Sequence, residues 1–179
     1  MGARRGRRCG RGRTLLREGA RGVVGGAVGT GAMALAARWR REAYARRQGI
    51  TVPEIDEILD YDDSDHVVIA ASTLLHAVVG WAPRTERGRY VLFWVVHWGY
   101  GSFVGTGHLV LQGALGREPL PGLVFFAATQ TMALGLFPVL GDTPPPWRWR
   151  RDLLRTSFVQ HGIYAGGIAA ANTLSARAV

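Results

Sequence analysis

"YVLFWVVHWGYGSFVGTGHLVLQGAL", residues Tyr90 to Leu115, decides how the rest of this chain is read. It holds no Asp, Glu, Lys or Arg, and it exceeds the roughly 20 apolar residues that a helix needs to cross a bilayer. Water-soluble chains seldom leave such a run uncharged. A bilayer demands it, because one ionised side chain at the membrane centre costs roughly 2.5 to 3.5 kcal/mol even on the lenient insertion scale. The stretch is therefore predicted to span.

Working outward, charge and apolarity are segregated along all 179 residues. The 22 basic residues are all arginine; eight precede Val23 and five lie between Arg38 and Arg47. Seven of the 13 acids fall between Glu54 and Asp65. The net charge of +9 admits a soluble nucleic-acid binder, but the arginines flank apolar runs instead of lining one face of a domain. Anionic lipid headgroups are the expected partner, and nucleic acid is not. Cys9 is the single cysteine, which removes intrachain disulfides, CxxC redox chemistry and thiolate metal sites.

These blocks predict an all-α integral membrane bundle, multi-pass, in a bacterial cell (inner) membrane. Residues 1–21 read as a disordered Arg/Gly-rich tail, 22–175 as one transmembrane domain and 176–179 as a short tail. Four spans are expected at about 22–38, 90–115, 120–140 and 153–174. Between the first two, Val67, Val68, Ala71, Leu74, Leu75, Val78 and Val79 make the stripe of an amphipathic helix at about 66–80, which is expected to lie in the interface. If that helix crosses instead, the spans number five. With four spans and the tail set aside, loops 38–89 and 141–155 share one side and carry 12 arginines, which makes that side cytoplasmic. With five spans the tail joins the cytoplasmic side.

Polar residues inside apolar runs are the candidate site. His97 and His108 are eleven residues apart, three turns at about 3.6 residues per turn, so they are predicted to share a face with Gly101 and Gly105. His97 is seven residues into its span and His161 eight into the last, which puts both roughly 10 to 12 Å deep in parallel helices. Gln130 sits mid-way along the intervening span. The expectation is a buried polar layer of His97, Gln130, His161 and Tyr164, with His108 toward the opposite surface and His76 and Gln160 as secondary polar positions. Small-residue spacings Gly22-xxx-Gly26, Gly101-xxx-Gly105 and Gly162-xxx-Gly166 predict close helix packing, within one chain or between copies in a homo-oligomer.

Three chemistries fit such a layer. Neutral imidazoles and amides act as interhelical glue, or they carry a proton or small ion, or His97 and His161 ligate a haem or metal. No nucleophile–base pairing is visible, so no catalytic residue and no resident metal site is assigned. "DYDDSDH", Asp60 to His66, lacks the glycine and the twelfth-position glutamate of a calcium loop, and reads as a carboxylate-rich helix start docking on Arg46 or Arg47.

The Gly-rich first helix followed by "PEI…LDYDDSDH", "PRTERGR" and "HWGYGS" resembles a group of small bacterial and archaeal polytopic membrane proteins of unknown function, and more loosely the YagU-like inner-membrane proteins. The resemblance runs from about Gly22 to Leu174 and implies an inner-membrane protein without bringing catalytic residues. The expected function is non-enzymatic, with proton or small-ion translocation or a pH-linked role through the histidine layer. A haem- or metal-binding membrane subunit is the alternative.

Overall fold

The computed structural model describes residues 3–51, 63–141 and 144–177, with side chains for 16–51, 68–136, 138–141 and 144–176. The elements are α1 (Ala3–Gln48), α2 (Asp63–Val79), α3 (Glu86–Trp94), a π-helical turn (Val95–Tyr100), α4 (Gly101–Leu115), α5 (Leu120–Leu140), a 3₁₀ turn (Pro146–Arg148) and α6 (Arg151–Arg177). No strand occurs among the described residues, so the chain is all-α.

Helix α1 takes in the Arg/Gly run that composition reads as a disordered tail. Arginine is a good helix former, and extending a formed helix needs no second nucleus. The acidic stretch Asp60 to His66 lies outside the described side chains. Helix α3 starts at Thr85, whose hydroxyl accepts the Gly88 N–H at 3.1 Å, with Glu86 in the first turn where the helix dipole favours an anion. Helix α4 stops at Gly116, whose φ of +86° only glycine adopts without strain.

Helix α1 is the middle of the bundle. One strip, Gly22 and Gly26, lies on α4; the other, Gly25 and Gly29, lies on α6. Residues pair in opposite order along the first contact: Gly22 with Thr106, Gly26 with Ser102, Gly31 with Trp98. So α1 runs antiparallel to the α3–α4 rod, and equally to α6, where Gly25 meets Asn172 and Gly29 meets Tyr164. It follows that the end of α1 and the start of α3 lie at the same end of the bundle. The segment joining them, α2 included, cannot make a single traverse. Helix α2 packs on α5 and α3 instead, burying Val68 and Ala70. Its predicted stripe is split, because Leu74 and Val78 are exposed.

Phe125, Tyr164, Ala165 and Ile168 form the buried centre, joined by Met33, Val104, Leu111 and Phe126. The outside of the bundle is apolar too, with Phe103, Val110, Leu123, Val139 and Val159 all exposed. Among the described residues two helices, Leu16–Gln48 and Leu120–Leu140, are long and apolar enough to cross a membrane; the apolar part of α2, Val68–Val79, is shorter.

Candidate functional site

The polar residues of the interior sort into two groups. The first lies at the end of the bundle where α4 turns into α5. His108 is fully buried. Its Nδ1 lies 3.0 Å from Asn172 Nδ2 on α6, and its Nε2 lies 2.9 Å from Glu118 Oε1, at ion-pair distance though short of aligned hydrogen-bond geometry. Glu118 is held from its own side of the turn, where Oε1 accepts from Gln112 Nε2 at 3.0 Å and Oε2 accepts the Gly122 N–H at 2.9 Å. The edge of His108 meets the Phe125 ring, with centroids 5.6 Å apart and planes at 90°. Arg21 closes the end from α1. It donates to the Asn172 carbonyl at 2.8 Å and to Ser175 Oγ at 3.2 Å, and pairs with Glu18 at 2.8 Å.

The second group lies deeper. Gln130, buried on α5, donates from Nε2 to Ser157 Oγ on α6 at 3.1 Å. One turn along, His161 Nδ1–H donates to the Ser157 carbonyl at 2.9 Å, which fixes its neutral tautomer with the lone pair on Nε2. Tyr164 is buried and donates its hydroxyl to the Gly101 carbonyl at 2.5 Å, tying α6 to α4. Of the predicted layer, Gln130 and His161 therefore meet at Ser157, Tyr164 sits a turn beyond on another partner, and His97 is not with them.

His97 is half-buried against its own helix, stacked on Phe93 at 5.3 Å and edge-on to Trp94 and Trp98. The reason is the π-helical turn Val95–Tyr100. A π turn holds an extra residue, and at about 100° per residue the insertion rotates everything before it by roughly a quarter turn. His97 and His108 thus occupy different faces, against the expectation from a uniform period. His108 does lie at the opposite end from His97, as depth predicted. His76 is exposed at the end of α2, and Gln160 is half-buried.

The glycines divide as well. A Cβ on Gly22, Gly26, Gly101 or Gly105 would come within 2.6 Å of an atom across the α1–α4 seam, so these four serve contacts inside one chain. A Cβ on Gly166 would meet nothing within 4 Å, and one on Gly162 only Phe126 at 3.9 Å; on α6 it is Gly167, where a Cβ would stand 3.1 Å from the Gly29 Cα, that lets α1 approach. Gly162 and Gly166 line an open groove of about 330 Å³ between α5 and α6, with Glu118 among its walls.

Sequence reasoning missed Asn172, Glu118, Arg21 and Ser157. Asn172 had a signal, since it is the single asparagine of the chain and lies in an apolar run. Glu118 sits in a turn, outside the runs searched for acids. Among the described residues no three His, Cys, Asp or Glu side chains gather as a metal set. Comparison with known proteins finds no matching family model, no matching curated protein and no matching solved structure.

Proposed function

We propose that this chain is a four-span protein of the cell membrane that moves protons, with His108 and Glu118 as the proton-binding pair. The observation that carries the reading is the fully buried imidazole set between a carboxylate and an amide. An ionisable imidazole kept inside an apolar bundle, with a partly exposed carboxylate at its end to meet it, is costly as glue, and in membranes such groups mark proton relays. The remaining polar groups extend the line. Ser157, His161, Tyr164 and Asn172 climb one helix over about 22 Å at 1.5 Å per residue, most of a hydrocarbon core of about 30 Å. Two helices of spanning length and the apolar outer surface support the membrane reading. The end shared by Arg38–Arg47, Arg84–Arg89 and Arg148–Arg155 faces anionic headgroups on the cytoplasmic side.

The test is decay of an imposed pH gradient in liposomes containing the full chain. Wild type is expected to dissipate it faster than empty vesicles. His108→Gln and Glu118→Gln should return the rate to that of empty vesicles, and His97→Ala should leave it at the wild-type value. Decay that none of the three changes overturns the proposal.

A further inference from the structure

We infer that the transferred proton is held on Nδ1 of His108, and that Asn172 is the positioning residue that serves both protonation states by turning its amide. This rests on the proton-linked reading above and adds a residue and an atom to it.

The argument starts from what each group is able to do. The Asn172 Nδ2 group that faces His108 Nδ1 at 3.0 Å carries only donors, so Nδ1 must be the ring's lone-pair nitrogen. The one proton of the neutral ring then sits on Nε2, which lies 2.9 Å from the Glu118 carboxylate without yet being aligned on it. That state is self-consistent at the ring but leaves a debt at the amide: Asn172 Oδ1 is buried with no partner. A proton arriving on Nδ1 turns that nitrogen from acceptor to donor. A half-turn about the Asn172 Cβ–Cγ bond then brings Oδ1 to accept it, and the two ends of an amide are so alike in size that the turn needs little extra room.

Charge favours the same change. The groups facing His108 are Glu118 from the turn, Gln112 from its own helix, Asn172 from α6, the Phe125 ring from α5 and, beyond Asn172, Arg21 with Glu18 from α1. Arg21 is already committed to Glu18, Ser175 and the Asn172 backbone. Glu118 accepts hydrogen bonds from an amide side chain and a backbone N–H, but pairs with no arginine among the described residues. The protonated ring supplies its cation. Uptake is one proton drawn from water, with one N–H bond formed at Nδ1 and none broken in the protein. The His108–Glu118 pair goes from one net negative charge to none.

The experiment is solid-state NMR on the full chain in bilayers, with ¹⁵N-labelled histidine, followed through a pH titration. At high pH His108 is expected as the Nε2–H tautomer with a bare Nδ1, and at low pH as the doubly protonated ring. Asn172→Asp, which only accepts, should raise the proton affinity of His108 by about tenfold or more, one pH unit. Asn172→Leu should lower it by a similar factor. Asn172→Ser, whose hydroxyl both donates and accepts, should hold it near wild type. A neutral wild-type ring protonated on Nδ1 overturns the inference, and that measurement needs no variant to fold. So does a His108 midpoint that Asp and Leu both leave unmoved. A ring that titrates as described in a protein that fails the liposome assay overturns the transport reading alone.

Discussion

Gly26 on α1 and Gly105 on α4 approach so closely that a Cβ placed on Gly105 would stand 2.5 Å from the Gly26 Cα and 2.4 Å from the Gly22 carbonyl oxygen. Both obstacles are backbone and cannot swing aside. Gly105→Val is therefore expected to destabilise the bundle by about 1 to 3 kcal/mol or more, the usual range for overpacking. Gly166→Ala, with open space at its Cβ, should be neutral or slightly stabilising. Unfolding of each variant in detergent, followed by circular dichroism, checks the contrast; equal stabilities would contradict the seam.

The antiparallel pairing of α1 with the α3–α4 rod makes a topological prediction. In a Cys9→Ser background, cysteine probes at Gln48 and Arg84 should react with an impermeant reagent from the same side of the membrane, and one at Arg117 from the other. Probes at Gln48 and Arg84 labelled from opposite sides would mean that α2 crosses after all.

Arg21 fastens α1 to the end of α6 through a backbone carbonyl and a serine hydroxyl, from a side chain only 19% exposed. Hydrogen bonds from a charged donor typically contribute about 1.5 to 3 kcal/mol, so Arg21→Gln should cost a loss of that order. Glu18→Gln removes only a half-exposed pair one turn apart and should cost less than about 0.5 kcal/mol. Thermal unfolding of the two variants in one detergent measures the difference.

Asp152 offers a pH dependence outside the apolar segments. Its hydrogen bonds from Arg150, at 2.8 and 3.2 Å, hold its carboxyl below the ordinary carboxylate range. A depressed value favours the folded state above the unfolded pKa, and that contribution disappears as pH falls through the folded one. Both side chains are well exposed, so the readout is the titration itself. Arg150→Gln should move the Asp152 midpoint upward in a ¹³C-detected NMR titration, and an unmoved midpoint would show that the pair is not kept in solution.

Much of this architecture is legible in the residues. The uncharged runs at 90–115 and 120–140 are the α3–α4 rod and α5, and the last predicted span lies within α6. Depth was legible too. Tyr164 meets a residue 63 positions earlier and Asn172 one 64 earlier, and 64 is also the separation of His97 and His161. The same arithmetic applied to His108 points to Asn172. What a period of 3.6 does not carry is rotation, because nothing in "VVHWGY" announces that the helix winds wider there. Nor does a span-by-span search see Glu118, which reaches its histidine from a turn.

The seam glycines of α1 have a mechanical consequence. With no side chains at Gly22, Gly25, Gly26 and Gly29, α1 is a thin spacer wedged between α4 and α6, and its girth sets how far those two helices stand apart. The short span from His108 to Asn172 is therefore gauged by a neighbour that supplies neither of its atoms. One methyl group added to that shim at Gly29, which faces Ile168 and Tyr164, would lengthen the bond without touching either partner's chemistry.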